Sequence, residues 1–141
     1  MKQKLLIVDD EQGIVDIMES YFTTEYEILT ACNGQEAVRK AQEQPDLILL
    51  DINMPGMDGL SVCRSIREHV RCPILFLTAH VESADQILGF QAGGDDYIVK
   101  HFDLKELNAR VAAHLRREQR RQNFSAVKFF GTAPWDCGGC L

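Results

Sequence analysis

Short apolar runs alternate with amphipathic stretches along the chain. Residues 4–8, 26–30, 47–50, 74–77 and 97–99 read as strands, and the third and fourth of these are apolar throughout, as in strands covered on both faces. Between them the apolar positions recur with helical spacing. Ile14, Ile17, Met18, Tyr21 and Phe22 share one predicted helix face. Ala37, Val38 and Ala41 mark a second helix, opened by Asn33 with Glu36 three residues on, and Leu60, Cys63 and Ile66 mark a third. Ala84, Ile87 and Leu88 mark a fourth, where Ser83 and Gln86 are spaced as a capping box. Leu104, Leu107, Val111 and Leu115 mark a fifth, capped by Asp103 with Glu106 at its third helical position.

Strand–helix alternation with short connections predicts an α/β domain: a doubly wound, five-stranded parallel sheet with five flanking helices. In such a sheet ligands bind beyond the C-terminal strand ends, where the winding reverses. The residues at those ends are therefore informative. The first strand leads into Asp9 and Asp10, the third into Asp51, the fourth into Thr78 and the fifth into Lys100. The second ends in Thr30 and Ala31 and brings no comparable group.

Clustered carboxylates repel one another unless a cation joins them. Carboxylate and carbonyl oxygens with room for water suit Mg²⁺. An ammonium and a hydroxyl on the same edge suit a phosphoryl group, the first as a point charge and the second as a hydrogen-bond donor. Asp51 can then act as a carboxylate nucleophile that forms an acyl phosphate.

The 141 residues provide one domain with room for a tail. The net charge of −6 argues against a nucleic-acid-coating body, although Arg116, Arg117, Arg120 and Arg121 cluster late in the chain, where cations suit the end of a helix. No apolar run reaches the roughly 20 residues of a membrane span, and the run before Asp9 is too short for a signal peptide, so the chain reads as cytoplasmic with no membrane partner. Of five cysteines, Cys32, Cys63 and Cys72 stand singly in apolar surroundings and read as core residues. Cys137 and Cys140 form one C-x-x-C pair that cannot fill a tetrahedral zinc site alone.

The strings Leu6-Ile-Val-Asp-Asp10, Leu49-Leu-Asp-Ile-Asn-Met-Pro-Gly-Met-Asp-Gly59, Leu77-Thr-Ala79 and Asp95-Asp-Tyr-Ile-Val-Lys100 resemble the receiver domains of two-component response regulators, over about residues 3–121. That resemblance implies a CheY-like (flavodoxin-like) sheet of order 2-1-3-4-5. It implies that Asp51 accepts a phosphoryl group from a sensor histidine kinase. Asp10 and Asp51 would hold Mg²⁺ directly (Mn²⁺ as an alternative), Asp9 through water, and Asn53 through its backbone carbonyl. Lys100 would pair with the phosphoryl group, and Thr78 and Tyr97 would form a switch couple. Asn53 and His80 stand where the family tunes phosphate lifetime. Gly94-Asp-Asp-Tyr97, Leu104-Lys-Glu-Leu-Asn-Ala-Arg110 and the Arg-rich end resemble the OmpR/PhoB type of transcription regulator. This implies homodimerisation through the fourth helix, fifth strand and fifth helix, with Asp96, Glu106 and Arg110 on that face; Gln86 departs from the basic residue common there.

His101 follows Lys100 where the family has proline. A cis bond before a non-proline residue costs about 3–4 kcal/mol, so His101 is expected to displace Lys100 or strain the backbone, slowing phosphorylation. Residues 1–121 form the expected receiver. Residues 122–141 form a tail, a linker or the truncated start of an effector domain, in which 124–131 read as a first strand. The 20 residues from 122 to 141 are too few for a winged helix, so no specific DNA binding is expected of this chain alone. A turnover phosphohydrolase with an Asp nucleophile would carry a second Asp two residues on; Asn53 stands there instead. The remaining alternative is a degenerate receiver that serves only as a protein-interaction surface.

Overall fold

Alternate residues of a strand face opposite sides of its sheet, and a parallel sheet buries both. The computed structural model follows this rule. It describes residues 2–79, 91–100 and 103–131, with side chains to residue 120. Strands β1 (Lys4–Val8), β2 (Glu27–Ala31), β3 (Leu47–Asp51), β4 (Ile74–Thr78) and β5 (Asp96–Val99) form one parallel sheet of order β2-β1-β3-β4-β5. The second strand begins and ends one residue later than the apolar pattern implies. Helices α1 (Gln12–Phe22), α2 (Gly34–Ala41), α3 (Gly59–Ile66) and α4 (Leu104–Gly131) flank it. The predicted helix around Ala84, Ile87 and Leu88 lies outside the described residues, so the fifth predicted helix is α4 here.

Leu6, Val8, Ile48, Leu50, Ile74 and Phe76 point to one face, where α2 and α3 cover them with Ala37, Ala41, Val62, Cys63 and Ile66. The intervening residues Leu5, Ile7, Leu47, Leu49, Leu75 and Leu77 meet Met18 and Phe22 of α1 and Leu107, Val111 and Leu115 of α4. Cys63 and Cys72 are buried free thiols, and burial pushes them up to about 11 and about 12.

The buried stripe of α1 is rotated from the expected one. Val15, Met18 and Phe22 are buried, while Ile17 is 59% and Tyr21 36% exposed.

Local signals set the helix starts. Asn33 accepts from Glu36 N at 2.8 Å, and Glu36 Oε1 reaches back to Cys32 N at 2.9 Å. Asp58 caps α3 through Ser61 N at 2.9 Å. Residues 124–131, which read as a strand, instead continue α4 as helix to Gly131. No proline interrupts residues 104–131, and the preceding Arg, Glu and Gln residues favour propagation.

Arg67, the C-cap of α3, fastens the chain entering β5. Its Nη1 donates to Gly93 O (2.8 Å) and Asp95 Oδ2 (3.2 Å), and its Nη2 to Val70 O (3.1 Å) and Cys72 O (2.7 Å). Asp95 Oδ2 also accepts from Ile74 N at 2.9 Å, tying the start of β4 to the same clamp.

Candidate functional site

The winding reverses between β1 and β3, which places a crevice at their C-terminal ends. Val8 pairs with Leu50, so Asp9 emerges beside Asp51 on neighbouring strands roughly 4.8 Å apart. Asp9 N continues the ladder to Ala31 O at 3.1 Å, so β2 supports the site through its backbone. Thr78 pairs with Val99, and Lys100 N reaches Thr78 O at 2.6 Å, which carries Lys100 to the same edge.

Four of the five strands therefore deliver the expected residues. Asp9, Asp51 and Thr78 are buried and Asp10 is exposed. Asp9, Asp10 and Asp51 each offer a carboxylate oxygen within 4.8 Å of the others. The Lys100 ammonium bridges two of them, 2.9 Å from Asp9 Oδ2 and 3.3 Å from Asp51 Oδ1, with Glu11 Oε1 at 3.9 Å. The contact to Asp9 Oδ2 is a buried ion pair. Asp9 Oδ1 accepts from Glu11 N at 3.0 Å and Asp51 Oδ1 from Asn53 N at 3.3 Å. Asp51 Oδ2 is buried with no hydrogen-bond partner.

Burial, then the neighbouring Asp9 charge, push the Asp51 carboxyl up to about 7, against the opposing pull of Lys100. Burial works to lower the pKa of Lys100, but the carboxylates of Asp9 and Asp51 outweigh it and raise it. One ammonium thus faces two buried acids, and an oxygen is left orphaned. A buried carboxylate oxygen in that condition is costly unless a cation meets it. Hard oxygen donors with an exposed third carboxylate fit a small divalent cation that keeps part of its water.

The loop after Asp51 is shaped by Pro55 and by Gly56, whose φ of 77° suits the third position of a type II turn. Two glycines hold this loop close, and strand-end reasoning does not single them out. A Cβ on Gly59 would overlap the Asp51 carbonyl oxygen and stand 2.8 Å from Ile52 Cα. A Cβ on Gly34 would stand 2.7 Å from Met57 Cβ and O, so α2 packs directly against the loop. Gly59 closes the Leu49–Gly59 string, and otherwise the signal of both is position, at the first residue of α3 and of α2 behind the capping residues Asp58 and Asn33.

Thr78 Oγ1 donates to Asn53 Oδ1 at 3.3 Å. Tyr97 lies 9% exposed in the core beside Phe76, its register partner. Asp96 faces α4, where Arg110 Nη1 approaches it at 3.3 Å and His114 Nε2 at 3.1 Å; Arg110 Nη2 also reaches Glu106 Oε2 at 3.5 Å. His80, Gln86, His101, Cys137 and Cys140 lie outside the described residues. A cleft of about 330 Å³ lined by Gln3, Asp46, Arg71 and Glu118 opens at the opposite strand ends and gathers none of these groups. Among the described residues no helix is long and apolar enough to cross a membrane.

The family profile described as response regulator receiver domain matches residues 5–112. The alkaline phosphatase synthesis transcriptional regulatory protein PhoP of Bacillus subtilis (strain 168) is 45% identical over 131 residues, which cover 91% of this chain and 55% of that protein. The chain therefore spans about half the length of this curated relative. Among solved structures, the BeF3-activated N-terminal receiver domain of Klebsiella pneumoniae RstA is 33% identical with a TM-score of 0.76, covering 81% of this chain and 99% of that one. A two-component response regulator from Clostridium difficile is 33% identical with a TM-score of 0.79, covering 83% and 98%. The receiver domain of a Luxo repressor protein from Vibrio parahaemolyticus, at 24% identity, shares the fold, with a TM-score of 0.81 over 88% of this chain and 98% of that one.

Proposed function

Because this chain belongs to the response regulator receiver domain family, we propose that it is a phosphorylation switch whose acceptor is Asp51. The observation that carries this reading is the buried Asp51 carboxylate, set between Asp9 and the Lys100 ammonium at the β1/β3 crevice. Asp51 attacks the phosphorus of a phosphohistidine on a sensor histidine kinase. A P–O bond forms, the P–N bond breaks, and its electron pair returns to an imidazole ring that leaves neutral when its other nitrogen carries a proton.

Asp10, Asp51 and the backbone carbonyl of Asn53 would hold Mg²⁺, with Mn²⁺ as a substitute and Asp9 acting through water; bound there, it would supply positive charge to offset that on the transferring group. Lys100 leaves its contact with Asp51 to meet the new phosphoryl oxygens, and Thr78 donates to them. Tyr97 then reports the state of the site on the surface made by β5 and α4.

Asp51 is modified once per cycle and regenerated by hydrolysis, so the domain is a switch and not a turnover enzyme. Its output is dimerisation across the face of Asp96, Glu106 and Arg110, and control of transcription in the cytoplasm. Residues 1–121 carry the switch, and residues 122–141 belong to the connection with an output module. The complete set of acids, ammonium and hydroxyl gives the interaction-only alternative no observation in its favour.

The test is intact-mass measurement after treatment with acetyl phosphate and Mg²⁺. The wild type gains one phosphoryl group, and Asp51→Asn or omission of Mg²⁺ abolishes the gain. An unlabelled wild type, or a labelled Asp51→Asn, overturns the assignment.

A further inference from the structure

Glu106, Arg110 and His114 follow one another at i, i+4 spacing along α4 and so form one ridge of the helix. The ridge passes Asp96, the first residue of the edge strand β5. Asp96 is already well supplied there. Its Oδ1 accepts from Tyr97 N at 2.8 Å, and its Oδ2 meets His114 Nε2 at 3.1 Å. A carboxylate only accepts, so Nε2 carries the proton of that contact. Arg110 comes third. Its Nη1 stands 3.4 Å from Oδ1 and 3.3 Å from Oδ2, and its Nη2 stands 3.5 Å from Glu106 Oε2, all longer than an ordinary N–H to oxygen hydrogen bond. Exposure follows the same order, with the His114 side chain at 11% and that of Arg110 at 42%. The inner partner of Asp96 is therefore the imidazole. The guanidinium, a planar fork of donors suited to a carboxylate, is loosely held at the rim.

We propose that His114 is a positioning residue for the face of Asp96, Glu106 and Arg110: by occupying Asp96 from within the chain, it keeps the Arg110 fork outward and available to a carboxylate of a second copy. Without it, Arg110 closes on Asp96 and the face loses its outward cation. In a two-fold pairing the same patch meets itself, so the incoming carboxylate is Asp96 or Glu106 of the other copy. The arrangement within one chain stands on the contacts above. Its consequence for pairing rests on the reading of this face as a dimer surface.

Modification of arginine by phenylglyoxal, mapped by peptide mass spectrometry on the unphosphorylated chain, tests the arrangement. Arg64, exposed on α3, marks full reactivity, and Arg67, held by Gly93, Val70, Cys72 and Asp95, marks protection. In the wild type Arg110 reacts nearly as fast as Arg64. In His114→Ala it slows about threefold, the weight of one exposed ion pair drawn tight. His114→Gln supplies an amide N–H at similar reach and restores the rate, which a role in packing alone would not predict. His114→Leu, which keeps bulk and lacks the donor, slows Arg110 likewise and decides the matter if His114→Ala fails to fold. A wild-type Arg110 as protected as Arg67 overturns the proposal, as does an unchanged rate in the Ala and Leu variants. In a second arm, sizing after treatment with beryllium fluoride and Mg²⁺ measures pairing. His114→Ala should dimerise about fivefold more weakly than the wild type, and Arg110→Ala should erase any dependence on residue 114. Equal dimerisation of His114→Ala and the wild type refutes the proposed effect on pairing. A wild type that stays monomeric defeats the dimer reading and leaves the first arm to judge the positioning.

Discussion

Lys100 holds its ammonium 2.9 Å from Asp9 Oδ2 and 3.3 Å from Asp51 Oδ1, so the buried acid of β1, and not Asp51, is its nearer partner. The lysine side chain is 18% exposed and that of Asp9 is fully buried. This cation is the built-in counter-charge of the acidic group.

Removing it exposes the repulsion it masks. Lys100→Met should lose about 3 kcal/mol of stability in Mg²⁺-free buffer, as expected for a buried pair stripped of one partner. Mg²⁺ should bind the variant more tightly, since no ammonium competes for the same oxygens, and should close much of the stability gap. Urea unfolding with and without the ion, together with calorimetric titration, measures both. Weaker Mg²⁺ binding by the variant contradicts the pairing.

Asp51 makes stability depend on pH with a definite sign. Its carboxyl is raised from an ordinary 3.8 to about 7 in the fold. Below the ordinary value it is protonated in folded and unfolded chains alike. As pH rises from there through about 7, the unfolded chain sheds a proton that the fold retains, so stability falls across that window and levels off above it. Asp51→Asn lacks this loss. It should melt several degrees above the wild type near about pH 8 without Mg²⁺, with the advantage shrinking toward about pH 5. A gap that widens on acidification would show that the shift has the opposite direction.

Gly59 and Gly13 make a matched test of backbone approach. A Cβ on Gly59 overlaps the Asp51 backbone, whereas one on Gly13, in the first turn of α1, meets nothing within 4 Å. Gly59→Ala should cost about 2 kcal/mol and weaken Mg²⁺ binding, because the Asp51 backbone must move. Gly13→Ala should gain about 0.5 kcal/mol by restricting the unfolded chain. Denaturation midpoints of the two variants, compared directly, check the contrast.

The Arg67 clamp predicts a third kind of loss. Arg67→Ala abandons the carbonyls of Gly93, Val70 and Cys72 and leaves Asp95 without its guanidinium. It should destabilise by about 2–3 kcal/mol. Arg67→Lys should recover less than half, since one ammonium cannot span partners arranged for a planar fork. Urea midpoints for the three proteins measure this, and full recovery by lysine would refute the fork.

How much of the site was legible depended on distance along the chain. Asp9, Asp10, Asp51, Thr78 and Lys100 could be read because each follows or closes an apolar run, and parallel strands bring such ends to one edge. Gly59, Gly34 and Arg67 escaped that reasoning. Their importance lies in what touches them, and neither a missing side chain nor a lone guanidinium leaves a periodic trace. Residues 124–131 misled for a related reason, since a short aromatic run has the same composition whether it begins a strand or extends a helix.

Alone, the amino-acid order determined the alternation of strands and helices, the cap at Asn33, and the chemical types waiting at each strand end. These are local properties, set by periodicity and by the next few residues. Tertiary structure alone decided that Val15 and not Ile17 enters the core, that Lys100 leans to Asp9, that Asn53 accepts from Thr78, and that burial pushes the Asp51 carboxyl up to about 7. Each of those outcomes depends on angstrom-scale separations between segments far apart in the chain, where packing and a poorly screened charge outweigh any local preference.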